Sequence, residues 1–307
     1  IYQIFVDRYA KGGNVPVRPG AVMMRSWDDV PEYPAYPGAP LRNNTFFGGT
    51  LYGITEHLDD IAALGTTYLY LSPVFESPSN HKYDTGDYET VDAMFGGEAA
   101  LRLLISEAEK RNIRVILDGV FNHTGADSKY FNKEGHYPTL GAYQSLKSPY
   151  ASWYHFDHFP DRYTCWGIDI LPRIHPDVPS CGEYFTGAGG IVERYAAMGI
   201  GGFRLDVVDE LSDDFIGKIR RALTGKNKEA LLYGEVWEDA SSKIAYGVRK
   251  KYYLGRELDG VMNYPLRTGI LSWMLGEGCE KLRYALTDVI ENAPKEIRDR
   301  QMNLLGT

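Results

Sequence analysis

Cysteine is scarce in this sequence: three in 307 residues, Cys165, Cys181 and Cys279, with no CxxC spacing. Three thiols cannot all pair, so neither a disulfide framework nor a zinc site is signalled. Reduced thiols in a cytoplasmic protein are the simplest reading. No run of 18 apolar residues occurs, so no membrane-spanning helix is expected. Basic runs are missing too. Lys and Arg number 33 against 41 acids, a net charge of -8, which argues against nucleic acid as a partner. Such a field repels anions mildly and leaves a neutral substrate indifferent. There is no initiating Met either. The chain opens at Ile1 inside an apolar run, so a processed or excised N-terminus is expected.

What is present suits a soluble enzyme. Aromatics make up 13%, with 23 Tyr and 5 Trp, a composition that fits a cleft stacking flat ligands. Short apolar runs alternate with amphipathic stretches. Strands are expected over 1–9, 66–75, 113–121, 201–208, 230–237 and 258–264, and helices over 53–65, 98–112, 189–199 and 213–223. Strand–helix repetition with right-handed crossovers gives a parallel sheet, and more than five such units favour a closed (β/α) barrel. Residues 124–182 break the rhythm, being rich in Gly, Pro, Tyr, His and Asp without a clean period. A structureless loop of that length is improbable in a compact domain, so the segment reads as an inserted subdomain after the third strand. The barrel is then 1–123 with 183–307.

Catalytic groups of a (β/α) barrel sit at the carboxyl ends of its strands. Here the second strand leads into "SPSNHKYDTGDY", with His81, Tyr83, Asp84 and Asp87. The third ends in "DGVFNH", with Asp118, Asn122 and His123. The fourth, "GGFRLDVVDE", places Arg204 and Asp206 inside an otherwise apolar run, and the fifth, "GEVWED", supplies Glu235. Alternation aims Arg204 and Asp206 to the same side. Asp206 and Glu235 are then expected to face each other from neighbouring strands. A guanidinium two residues away keeps Asp206 ionised, while Val236, Trp237 and Tyr233 are expected to give Glu235 a more apolar setting that favours its protonated form. An ionised nucleophile beside a protonated acid is the equipment of retaining glycoside hydrolysis. Any one of these features alone is more often a cap, an ion pair or packing; their succession at strand ends carries the reading.

These motifs resemble the α-amylase superfamily, glycoside hydrolase family 13, over essentially the whole chain. "NHKYDTGDY" and "LPRIHPD" resemble most its neopullulanase, cyclomaltodextrinase and maltogenic amylase branch. The resemblance implies a (β/α)8 TIM-type barrel with a domain B at 124–182, and hydrolysis of α-1,4 glucosidic bonds, with α-1,6 cleavage or transglycosylation as the alternatives within the fold. It implies Asp206 as nucleophile and Glu235 as general acid/base. Arg204 orients Asp206, His123 and Tyr83 contact the sugar ring, and Asp118, with Asn122 beside it, supports the strand ends. Trp166 and Trp237 are further candidates for sugar contact. No cofactor is required. Several relatives bind Ca2+ through an Asp just after a Gly-Gly; "FFGGT" puts Thr50 there, so no metal ligand is assigned. The implied partner is an α-glucan oligosaccharide, and the branch leaves room for a homodimer of the full-length protein.

The family's His-Asp motif at the seventh strand does not occur before the chain stops at "MNLLGT", and the eighth strand is missing as well. The expectation is a fragment whose C-terminal barrel strands are incomplete and which is inactive alone. Two readings of other classes remain. Asp118, Asp206 and Glu235 could ligate Mg2+ in a barrel lyase, against which Arg204 stands; or the chain could be a non-catalytic sugar-binding relative.

Overall fold

The computed structural model describes residues 1–31, 33–36, 39 and 41–306. They form two compact units, Ile1–Cys181 with Met198–Ile200, and Gly182–Ala197 with Gly201–Thr307. Residues 124–181 fall in the first of these units.

The first unit is built on three parallel strands, with helices between them. In order these are β1 (Tyr2–Ile4), α1 (Leu51–Glu56), α2 (Leu58–Ala63), β2 (Tyr68–Leu71), α3 (Gly97–Glu109) and β3 (Arg114–Gly119). Register pairs Gln3 with Tyr70, and Tyr70 with Ile116. The expected strand over 1–9 is cut short after Ile4. Buried Asp7 accepts from the backbone N–H groups of Phe47 (3.0 Å) and Gly48 (3.1 Å), which draws Val6–Arg8 into a 3-10 turn. The expected helix over 53–65 is two helices broken at His57 (φ -103, ψ 12), the first capped by Thr50, whose hydroxyl accepts from Gly53 N–H at 3.0 Å. Helix α3 buries Ala100, Leu101, Leu104, Ile105 and Ala108, one face at helical spacing; each large apolar side chain so buried contributes roughly 1.5–3 kcal/mol.

Between 124 and 181 the aperiodic sequence has a physical reason. The backbone there is joined by single bridges, His123 with Arg173 and Tyr154 with Ile174, and by a short hairpin of Phe156–His158 with Arg162–Tyr163. Its centre is the fully buried ring of Phe131, edge-on to Tyr154 at 4.8 Å and to Tyr163 at 4.7 Å. Aromatic packing of this kind leaves no period to read.

The second unit carries α4 (Pro179–Thr186, begun in the first), α5 (Ile191–Met198), β4 (Gly202–Leu205), α6 (Asp213–Lys226), β5 (Leu231–Gly234), β6 (Gly260–Asn263), α7 (Tyr264–Met274), α8 (Glu280–Asn292), α9 (Lys295–Arg298) and β7 (Met302–Asn303). Strands β4 to β7 are parallel and adjacent in chain order. Ser212 caps α6, which buries Phe215, Ile216, Ile219, Ala222 and Leu223. One buried carboxylate ties the unit together. Asp259 takes both ends of the Arg220 fork (2.9 and 3.1 Å), Arg300 Nη1 (2.9 Å) and the Leu232 N–H (2.9 Å), joining α6, β5 and the approach to β7. Among the described residues no helix is long and apolar enough to cross a membrane.

Candidate active site

The register of β4 and β5 sets the carboxylates side by side. Leu205 lies opposite Gly234, so the next residues, Asp206 and Glu235, leave neighbouring strands about 4.8 Å apart. Gly234 is required at that point: a Cβ there would fall 2.7 Å from Leu258 and 2.8 Å from Val208. Arg204, only 3% exposed, projects from β4 and holds both acids. Its Nη1 donates to Asp206 Oδ1 at 2.8 Å, its Nη2 lies 3.0 Å from Glu235 Oε2, and its Nε meets the Met262 sulfur at 3.2 Å. Val207 takes a left-handed conformation (φ 39), an outlier for a β-branched residue, and this turns its N–H onto Glu235 Oε2 at 2.8 Å. The other oxygen, Oε1, accepts from Trp237 Nε1 at 2.9 Å.

The expected apolar setting of Glu235 is therefore not what surrounds it. Three donors converge on its carboxylate, and Trp237, 65% exposed, is one of them. Sequence reasoning missed the Val207 N–H, because nothing in "DVVDE" announces a β-branched residue at positive φ. It also missed Tyr264, whose ring lies 6.5 Å from that of Trp237. Burial and the neighbouring Glu235 charge raise the Tyr264 phenol above its ordinary value.

In the first unit Asp118, Tyr83, Asn122 and His123 form one connected group. Asp118, 1% exposed at the end of β3, accepts from the phenols of Tyr70 (2.6 Å) and Tyr83 (3.1 Å) on the same oxygen. His123 donates from Nε2 to the Tyr83 carbonyl at 3.1 Å, and its Nδ1 accepts from the Asn122 amide at 3.2 Å. These bonds define a neutral imidazole protonated on Nε2. Burial lowers its pKa to about 4, the Tyr83 carbonyl partly opposing. Both nitrogens are engaged, so His123 acts first as a brace for the Tyr83 backbone. Trp166 stands in a separate turn closed by its N–H to the Leu171 carbonyl at 2.9 Å.

The His123 arrangement has a measurable consequence. Unfolded histidine titrates near pH 6.5, above the folded value. Above pH 6.5 both states are neutral and the group adds no slope. Between 6.5 and 4 the unfolded chain binds a proton that the folded chain refuses, so stability falls as pH falls, by about 3 kcal/mol in all. His123→Asn should be the less stable protein at pH 7, and its deficit should shrink steadily in denaturant titrations towards pH 4.5. A gap that stays constant with pH would contradict the buried neutral ring.

A cation beside "FFGGT" does not fit these residues. The Thr50 hydroxyl is spent on the α1 cap and on the Gly12 carbonyl (2.8 Å), and Asp7 on backbone N–H groups and Arg8. Among the described residues no cluster of three His, Cys, Asp or Glu is placed to hold a metal ion.

An Arg-bridged pair of carboxylates thus follows the fourth and fifth parallel strands, and comparison with known proteins gives the family. Residues 3–167 match the family model described as "Alpha amylase, catalytic domain". The chain belongs to the α-amylase catalytic-domain family, and its fold class is the (β/α)8 TIM-type barrel of that family. Aligned over its whole length, it is 36% identical to an amylopullulanase of Thermoanaerobacterium saccharolyticum, of which it covers 27%. It is 32% identical to a cyclomaltodextrinase of Geobacillus thermopakistaniensis (strain MAS1), of which it covers 48%. Among solved structures, the cyclic alpha-maltosyl-(1-->6)-maltose hydrolase of Arthrobacter globiformis in complex with maltose superposes with a TM-score of 0.82 at 29% identity. That match spans 99% of this chain and 64% of the other. The chain thus spans about a quarter to a half of these curated relatives.

Proposed function

We propose that the whole protein is a retaining α-glucan hydrolase, cleaving α-1,4 and also α-1,6 glucosidic bonds of starch-type oligosaccharides. The observation that carries this is the single guanidinium of Arg204 contacting both Asp206 and Glu235. Carboxyls on adjacent strand ends suit the roughly 5–5.5 Å of a retaining pair better than the wider gap of an inverting one. The names of the similar proteins, an amylopullulanase, a cyclomaltodextrinase and a cyclic alpha-maltosyl-(1-->6)-maltose hydrolase, support the substrate class.

In the proposed mechanism Asp206, aligned by Arg204, attacks the anomeric carbon as Glu235 protonates the glycosidic oxygen. Oε2 of Glu235 is already held by Arg204 and Val207, so Oε1 is the oxygen that carries the proton, and the exposed Trp237 indole gives way to the sugar. Water, deprotonated by Glu235, then releases the product with its α configuration retained. Trp237 is the proposed sugar contact of the second unit, and Tyr83, Trp166 and His123 are those proposed for the first, where a sugar hydroxyl would take over the bond His123 now makes to Tyr83. In this proposed mechanism side chains supply the proton and the nucleophile, and no cofactor is invoked. We further infer a cytoplasmic protein, a homodimer at full length, with residues 124–182 as its inserted subdomain. The test is proton NMR of fresh products from maltotriose, pullulan and cyclodextrin. The α anomer should appear first; initial β anomer would sink the retaining assignment, and no turnover by the whole protein would sink the activity.

A further inference from the structure

One buried carboxyl of the second unit takes no part in the chemistry above. Glu257 is 5% exposed, and its Oε2 is buried with no hydrogen-bond partner among the described residues. A buried oxygen without a donor is costly, and folded proteins keep few of them. Burial, and next the Asp213 charge, push this carboxyl up to about 7, with Lys250 and Lys251 opposing. At neutral pH it holds a proton about half the time, and the protonated form is a donor. Glu257 lines a cleft of about 490 Å3 between α6 and the segment before β6, within the second unit. That volume suits a small ligand.

The charges around this cleft are unevenly matched. Its two aspartates are each paired with a lysine that stands outside the lining, Asp213 with Lys250 at 3.4 Å and Asp214 with Lys218 at 2.7 Å. Its three cations have no such partners. Arg221, Lys251 and Arg256 are exposed, and among the described residues none of their side chains makes a hydrogen bond or an ion pair. Arg221 and Lys251 feel Asp214 and Glu257 only at longer range. One wall is bare as well. Gly217 lies inside α6, where glycine is the weakest helix former after proline. Packing does not demand it, since a Cβ there would meet only Arg221 Nη1, at 3.4 Å. The missing side chain leaves the backbone open to the cleft.

We propose that this cleft binds a phosphate group, held by Arg221, Lys251 and Arg256, with Glu257 donating to one of its oxygens. Arginine forks match phosphate oxygens two at a time, and an ammonium adds a compact charge. A protonated carboxyl beside a phosphate is a further donor, and the orphaned Oε2 then gains the partner it lacks. A net charge of -8 gathers no anions by itself, so the local cations must do so. The site goes beyond the glucan chemistry and does not depend on it.

The experiment is calorimetric titration of the whole protein near neutral pH with inorganic phosphate and, separately, with glucose 6-phosphate. Binding is expected with a Kd below about 1 mM. Tighter binding of glucose 6-phosphate assigns the ligand to a phosphorylated sugar, equal affinities assign it to free phosphate, and either upholds the site. Arg221→Gln and Arg256→Gln should each weaken binding at least about five-fold. Gly217→Leu fills the cleft with every charge kept. Its thermal midpoint should not fall, and it too should weaken binding at least about five-fold. Glu257→Gln keeps a donor and drops the charge, so it should bind at least as well as the wild type. Lys228→Gln removes an exposed cation outside the cleft and should change nothing. No phosphate binding up to about 20 mM, equal weakening by Lys228→Gln and Arg221→Gln, or full affinity in Gly217→Leu overturns the proposal.

Discussion

Asp206→Asn in the whole protein is expected to lower kcat/KM on maltooligosaccharides by about 10⁴-fold or more, with KM little changed. The amide has the shape of the carboxylate and still accepts from Arg204 Nη1, so the 2.8 Å contact and the fold persist. What disappears is the negative oxygen that must bond to the anomeric carbon, and losses of that size follow removal of a covalent nucleophile. Glu235→Gln should lose about 10² to 10⁴-fold, the range of a general acid. Its loss should be smaller on aryl glycosides, whose leaving groups need no proton. This contrast separates the roles: substrate-dependent damage marks the acid, substrate-independent damage the nucleophile. If Asp206→Asn kept more than a few per cent of activity after deamidation is excluded, the carboxylate pair would not be the reacting one.

The core of this site was legible because its sequence signal is local. An Arg and an Asp two apart in an apolar run, and a Gly-Glu closing the next run, are enough once the strands lie parallel in register. The parts that were not legible depend on backbone geometry or on distant partners. Val207 at φ 39 contradicts its own propensity, so the N–H it aims at Glu235 could not be foreseen. The surroundings of Glu235 were misjudged by reading Tyr233, Val236 and Trp237 as bulk apolar neighbours, although the indole acts through its N–H and Arg204 reaches across from β4. In the fold, the sequence pattern marks no helix at α7 or α8, although Asn263 caps α7 and Pro265 stands in its first turn. The strand over 1–9 was too long because only tertiary bonds to Asp7 end it after Ile4.

Arg204 is the residue whose loss should disturb stability and chemistry together. It is 3% exposed and faces two carboxylates, and removing one partner of a buried ion pair costs about 3–5 kcal/mol because the other is left unpaired. Arg204→Leu should therefore unfold at a distinctly lower temperature and lose at least about 10²-fold in kcat. Arg204→Lys should recover part of the stability but little rate, since one ammonium cannot reach both Asp206 Oδ1 and Glu235 Oε2 with the geometry of a fork. The decisive comparison is Arg204→Leu with Asp206→Asn in one chain. The double variant removes one of the two stranded charges, so it should be more stable than Arg204→Leu alone, a coupling of about 1–3 kcal/mol in a double-mutant cycle. Its rate should be no lower than that of Asp206→Asn, because Arg204 acts on catalysis through the carboxylate it aligns. Strict additivity in both readouts would mean that the guanidinium is packing and that the bridge between the two acids carries no chemistry.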